Sequence, residues 1–321
     1  MWPAGGSEPL MAGFGIIVNP YARGNRRNPS RVERLRSIVG DDGVVFATAD
    51  FDELDLRLRE LHDRNIEILA VCGGDGSFHH AIGRVIEIWG ADSLPLLLPL
   101  RGGTINNLSR TIRARRRRAE SMLAHVVKDY RRGKTHEVTH RDLIVINGEH
   151  YGYIIGAGLV VNFLQLYYAG ARPRPASAFW LLFTCGLSYY LGTSLIQGVV
   201  KPFDGDIVVD GERVPFRSFS MFLASSVEHI GLGVKPFYLS ARKRDFYHVL
   251  CGPSTPGQLL SRLYRFFRGH PANLDTLYDN MAQRVRVEFA EPQAFMINGD
   301  IYDSVSILSM EPGPRVAVIS G

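Results

Sequence analysis

Through the first hundred residues, short continuous apolar runs alternate with stretches in which apolar positions recur every three or four residues. Gly15-Ile16-Ile17-Val18 is a run of the first kind, and Val44-Val45-Phe46, Ile66 to Cys72 and Pro95 to Pro99 follow it. Unbroken apolar text of about 4–8 residues predicts strands buried on both faces. Between these runs Val32, Leu35 and Val39, then Leu54, Leu58 and Leu61, then Phe78, Ala81, Ile82, Val85, Ile86 and Trp89 each fall on one face of a helix. Such alternation predicts a doubly wound α/β domain with a parallel sheet over residues 13–135. From residue 136 the rhythm changes, and RDLIVIN, HYGYIIGAG, DIVVDGERVPF, FSMFLASS, FYHVL and RVRVEF each read as a strand. They predict a β-rich, sandwich-like second domain over 136–300, with 301–321 returning to the first domain. Residues 1–12, MWPAGGSEPLMA, are expected to be a flexible tail and no secretory signal, since they lack both a basic start and a continuous apolar stretch.

One segment breaks the pattern of the second domain. No charged residue occurs from Pro175 through Val200, a length that would permit a membrane span. Gly186, Gly192 and Gly198 interrupt it, hydroxyl groups dilute it, and basic residues bracket it, so a buried or membrane-facing helix pair is the expectation.

Composition changes little: 45% apolar and 21% charged residues are ordinary for a folded soluble chain. Cys72, Cys185 and Cys251 are too far apart for a zinc spacing and odd in number, which fits a reducing cytoplasm. The net charge of +5 is concentrated at Arg110, Arg113, Arg115 to Arg118, Arg131, Arg132 and Lys134. An anionic partner is expected there, unless the cluster is a plain solvated helix end. Without interleaved aromatics or a known module, nucleic acid is not expected, and an anionic membrane surface is favoured.

The candidate chemistry lies in the loops that follow the strands. Gly73-Gly74-Asp75-Gly76-Ser77 joins a strand directly to a helix, where free backbone N–H groups and the helix dipole form an anion site that glycine leaves open. An aspartate among phosphate-binding glycines must work through a metal ion, a nucleotide hydroxyl or a proton. The blander alternative is a tight turn in which Asp75 or Ser77 caps the helix. Val18-Asn19-Pro20-Tyr21-Ala22-Arg23-Gly24 and Gly103-Thr104-Ile105-Asn106 also follow strands of the same sheet, and in an open parallel sheet such loops line a common crevice. Neither a P-loop nor a full G-x-G-x-x-G is present.

In these loops, VNPYARG, GGDGS and GTIN in that order, the chain resembles the diacylglycerol kinase catalytic-domain family, which includes bacterial lipid kinases, sphingosine kinases and ceramide kinases. The likeness continues through Asp142 to Gly148, Ile155 to Gly158, VVDGE at 208–212, GLGVKP at 231–236 and Asn298-Gly299-Asp300. It implies a nucleotide-binding α/β domain, a β-rich second domain and an active site in the cleft between them. It further implies an ATP-dependent lipid kinase using Mg²⁺, acting on a diacylglycerol or a ceramide or sphingoid lipid. Such an enzyme would be cytoplasmic and peripheral to the inner face of the membrane. By the same resemblance Asn19, Gly73, Gly74, Gly76, Ser77, Gly103, Thr104 and Asn106 would bind the nucleotide. Asp75 would serve magnesium and phosphoryl transfer, Asp142 a metal and water network, and Asp245 a structural metal or nothing more than a strand end.

Three positions depart from the family. Asn298 stands where the family has the aspartate proposed as base, and an amide cannot take a proton as a carboxylate does, so Asp300 or Asp75 would assume that role. Asn298-Gly299 is also the strongest local signal for a type I′ hairpin turn. His80 and Asn107 each replace a carboxylate, and His79 and His80 are expected to be partly exposed helix residues. An NAD kinase shares GGDG, and a non-catalytic nucleotide- or lipid-binding relative would tolerate these losses, so both stand as alternatives.

Overall fold

The computed structural model describes residues 13–102, 118–170, 175–230, 233–240 and 242–320. The chain divides into two compact units, Met1–His140 with Val316–Gly321, and Arg141–Arg315.

The first unit runs β1 (Phe14–Val18), α1 (Arg23–Arg26), α2 (Arg31–Val39), β2 (Gly43–Ala47), α3 (Phe51–Asp63), β3 (Ile68–Gly73), α4 (Asp75–Trp89), β4 (Leu96–Arg101) and α5 (Ala119–Tyr130). Its strands pair in parallel in the order β2-β1-β3-β4, and Val318 near the end of the chain pairs in parallel with Leu97. Alternate residues of the strands face opposite layers. Phe14, Ile16 and Val18 pack with Leu35 and Val39 of α2 and with Leu123 and Val126 of α5. On the other face, Leu61 of α3 lies directly over Gly15, and α3 packs on α4. Helices therefore cover both faces, which is why the strands can be apolar throughout.

The second unit contains β5 (Val138–Ile146, which enters from the first unit), β6 (His150–Gly152), β7 (Ile154–Gly158), α6 (Leu159–Ala169), α7 (Pro175–Leu191), α8 (Ser194–Val199), β8 (Phe203–Val209), β9 (Glu212–Arg213), β10 (Ser218–Phe219), β11 (Met221–Ser225), β12 (Tyr247–Gly252), α9 (Pro256–Arg268), β13 (Tyr278–Ala282), β14 (Val285–Ile297) and β15 (Asp300–Ile319, which leaves for the first unit). Its ladder is antiparallel, in the order β13-β12-β11-β7-β14. β14 changes partner along its length: Val285–Phe289 pair with β8 and Phe295–Ile297 pair with β7, with register shifts between Glu288 and Phe295. The strands thereby curl around one core that includes Ile155, Ile207, Phe219, Phe222, Tyr247, Val287 and Leu308. Asn147-Gly148, Asp210-Gly211 and Asn298-Gly299 all have positive φ at both residues, as type I′ hairpin turns require.

The unit boundaries fall later than periodicity places them, at His140/Arg141 and at Arg315/Val316. β15 stays beside β14 as far as Met310, opposite Val285, so the return to the first unit begins near Val316 and not at Ile301.

Candidate functional site

Three strand ends of the first unit are tied to one another by backbone. Asn19 N–H donates to Cys72 O at 3.1 Å, Gly102 N–H to Gly73 O at 2.9 Å, and Gly24 N–H to Gly102 O at 2.7 Å. Asn25 sits beneath this junction, only 5% exposed. Its Nδ2 donates to Asn19 O at 2.7 Å and to Cys72 O at 2.9 Å, while its Oδ1 accepts from Arg31 Nη1 at 2.7 Å. Arg31 Nε in turn meets Glu120 Oε1 at 3.2 Å, an oxygen that also faces Arg34 Nη2 at 3.1 Å and Asn28 Nδ2 at 3.3 Å. Burial alone would raise the Glu120 carboxyl, but its own backbone N–H and the Arg31 and Arg34 guanidinium groups outweigh it and hold the pKa below the ordinary value. The Cys72 thiol beside them is pushed up to about 11 by burial, so it is inert.

The GGDGS loop then starts α4 without a side-chain cap. Gly74 occupies the cap position with φ −92° and ψ −176° and makes no capping side-chain bond, and the helix closes with Phe78 N–H on Gly74 O at 3.1 Å. Asp75 is the first helical residue, with Gly76 and Ser77 after it. The alternative, a turn in which Asp75 or Ser77 occupies the cap position, is therefore not what the helix start shows. The Ser77 hydroxyl instead accepts from Asn19 Nδ2 at 2.8 Å, and Asn19 Oδ1 accepts from Tyr21 N–H at 2.9 Å. Gly73 has to be glycine, because a Cβ there would stand 2.4 Å from Ser77 Cβ. The first-turn N–H groups of α4 thus sit at a glycine-lined helix start, which is a site for an anion. Asn19, Gly73, Gly74, Gly76 and Ser77 are brought together as the sequence implies. Gly103, Thr104 and Asn106, with Asn107 and Arg110 to Arg117, lie outside the described residues. His79 is buried, contrary to expectation, and the His80 ring stands edge-on to Phe51 at 5.0 Å.

In the second unit, Asn298 has a structural task. Its Oδ1 accepts from both Tyr153 N–H and Ile154 N–H at 2.9 Å, its own N–H donates to Ile154 O at 2.8 Å, and its φ is +53°. Asp300 opens β15 immediately after this turn, with Oδ2 buried. Burial first, and then the Asp300 charge, raises the Tyr168 and Tyr302 phenols, and Tyr168 Oη donates to Gly299 O at 2.8 Å. Asp142 lies on β5, its Oδ1 buried and 3.4 Å from Arg315 Nε. Asp245 sits in an exposed turn with φ +62° and Oδ2 3.7 Å from Arg244 Nε. Among the described residues no three His, Cys, Asp or Glu side chains gather as a metal site made by protein alone would need. The sequence reading missed Asn25, Arg31 and Glu120, since their connection is visible only once α5 is folded against α2.

Residues 14–139 match the family model described as the diacylglycerol kinase catalytic domain, which bears out the resemblance carried by VNPYARG, GGDGS and GTIN. The match supports a lipid kinase at the level of the family. Among solved structures the chain is similar to a candidate diacylglycerol kinase from Bacillus anthracis str. Sterne, at 19% identity, with 96% of this chain and 97% of that one covered and a TM-score of 0.70. A diacylglycerol kinase from the same strain is similar at 16% identity, with the same coverage and a TM-score of 0.64. At such identities these likenesses establish the fold. No curated protein matches the chain in sequence.

Proposed function

We propose that the chain is an ATP-dependent lipid kinase that transfers the γ-phosphate to a hydroxyl group of a membrane lipid of the diacylglycerol or ceramide and sphingoid class. The observation that supports this reading is the uncapped, glycine-lined start of α4, with Ser77 held by Asn19 and the loops anchored on Asn25. In this reading the N–H groups of the first turn of α4 hold phosphate oxygens, while Asn19, Ser77, Thr104 and Asn106 orient the nucleotide. The lipid hydroxyl oxygen bonds to the γ-phosphorus as the bond from phosphorus to the β,γ-bridging oxygen breaks, and ADP leaves with that electron pair. The hydroxyl proton passes to a carboxylate, Asp300 or Asp75. Positioning and charge neutralisation carry most of such a transfer.

The donor set fits magnesium. Mg²⁺ prefers hard oxygens and usually takes one or two carboxylates together with substrate phosphates, so a protein cluster of three is not required. As the resemblance implies, Asp75 at the helix start would serve the ion, Asp142, whose buried Oδ1 lies 3.4 Å from Arg315 Nε, would belong to a metal and water network, and Asp245 would hold a separate structural position. When bound, the ion would neutralise phosphate charge. The enzyme would work in the cytoplasm, bound peripherally to the inner face of the membrane.

The test is incubation of the pure protein with ATP, Mg²⁺ and mixed micelles of diacylglycerol, ceramide or sphingosine. Phosphorylated lipid from one of the three is expected, and none from any of them would refute the reading. Asp300→Asn and Asp75→Asn identify the base: the one that lowers kcat by about 10²–10⁴ while leaving ATP affinity intact is the proton acceptor.

A further inference from the structure

α7 turns outward the kind of side chain that helices usually turn inward. Ala178, Cys185 and Ser188 are buried on one side, where Cys185 packs with Ile196 and Val199 of α8. On the other side Phe179, Trp180, Phe183, Leu187, Tyr190 and Leu191 are exposed, Trp180 by 63% and Tyr190 by 80%. Positions 180, 183, 187 and 191 recur at helical spacing, so they form one stripe along a 17-residue helix roughly 25 Å long. A contiguous apolar face of this extent marks an interaction site.

α9 adds charge to that stripe. It packs against α7, with Leu260 over Gly186 and Gly257 against Tyr189. Exposed Tyr264 and Phe267 lie four and seven residues beyond Leu260, on the same side of α9. Arg268 is next to them, its guanidinium 5.1 Å over the Tyr264 ring, and Lys235 packs beside Gly269 at the same end of the helix.

We infer that α7 and the outer side of α9 form a membrane-docking face that lies flat in the interface of an anionic bilayer. The aromatic stripe sits at the acyl boundary, and Arg268 and Lys235 sit among the lipid phosphates. Aromatic and aliphatic side chains without any charge along the helix, with cations at the margin, are the chemistry of an interfacial helix. No helix among the described residues is long and apolar enough to cross a membrane. The inference rests on the lipid-kinase reading for its purpose, since it says which surface meets the substrate's bilayer. Its test uses neither ATP nor an acceptor lipid.

The chain has three tryptophans, Trp2, Trp89 and Trp180, so the double variant Trp2→Phe, Trp89→Phe leaves Trp180 as the sole reporter. With phosphatidylglycerol-containing vesicles its emission should move to shorter wavelength and be quenched by bromine-labelled acyl chains. Flotation of the otherwise unaltered chain gives a readout that does not depend on those variants folding. Phe183→Ser with Leu187→Ser should weaken flotation at least about tenfold, since each lost side chain removes a large share of the buried apolar area. Arg268→Glu should weaken binding to anionic vesicles more than to neutral ones. Unchanged Trp180 emission with vesicles, or a Trp180 face that becomes buried in a stable dimer without lipid, would overturn the inference. Vesicle docking with no phosphorylated product would sink the kinase reading alone, and lipid phosphorylation without docking would sink this inference alone.

Discussion

Replacing Asn298 tests whether the position where the family carries a carboxylate is here a structural clamp. Alanine removes the Oδ1 that accepts from Tyr153 N–H and Ile154 N–H, each at 2.9 Å, in a turn residue held at φ +53°. Tyr153 and Ile154 are buried, so their N–H groups would find little water. Two lost bonds at about 1 kcal/mol each, with a further cost for leaving donors unpaired, give a loss of roughly 2–3 kcal/mol. Alanine in the left-handed region adds about 1 kcal/mol over asparagine, which tolerates it. At about 2–4 °C per kcal/mol for a unit of this size, Asn298→Ala should melt about 6–16 °C below the parent. Asn298→Asp keeps the acceptor and the turn preference, so it should melt within a few degrees of the parent. Its carboxylate would be engaged by the same two N–H groups, so lipid phosphorylation should not rise. Thermal unfolding by circular dichroism and a turnover assay check both statements. A melt of Asn298→Ala within about 2 °C of the parent would refute the clamp. A tenfold gain in turnover for Asn298→Asp would show that the position serves chemistry.

Asn25→Ala removes the amide that spans Asn19 O and Cys72 O, and should lower ATP affinity at least about tenfold by calorimetry while the unfolding of the second unit is unchanged; an unaltered affinity would show that the loop holds its shape without it. Because the Glu120 pKa is lowered on folding, its contribution to stability is present above the ordinary carboxylate value of about 4.3 and is lost as pH falls through and below it. Glu120→Gln should therefore flatten the acid side of the stability curve below about pH 5, and superimposable curves for parent and variant would contradict the assignment.

Much of the first unit was legible because its information is local. β1, β3 and β4 are buried on both faces and so appear as unbroken apolar runs, and α2, α3 and α4 carry stripes at helical spacing. Asn298-Gly299 was legible as a hairpin turn because positive φ at two successive residues restricts composition sharply. α6 was not, since Leu159–Ala169 is apolar nearly all round and follows β7 without polar punctuation. α9 carried a signal that went unread: Thr255 and Gln258 bond reciprocally at 2.8 and 3.4 Å around Pro256, a capping box visible as T-P-x-Q. Glu120 could not have been found, because it reaches Arg31 across 89 positions of sequence and only through the tertiary fold.

The start of α4 also explains why the loop needs its particular neutral residues. Any side chain able to accept a hydrogen bond at the cap position would turn inward and take the same N–H groups that a phosphate needs. Glycine at position 74 removes that competitor. Ser77 remains, and its hydroxyl could be a second competitor, but Asn19 Nδ2 already occupies its oxygen at 2.8 Å. A hydroxyl that accepts from one side keeps its proton for the other, so Ser77 becomes a donor toward whatever enters. Asn25 then fixes Asn19 from below through Asn19 O, which makes the orientation of Ser77 depend on a buried amide six residues beyond the loop's first asparagine. Neutral donors anchored in this way can face a highly charged phosphate and leave Asp75 as the one carboxylate of the GGDGS loop. In the lipid-kinase reading, anion binding by this loop depends on backbone and amide geometry.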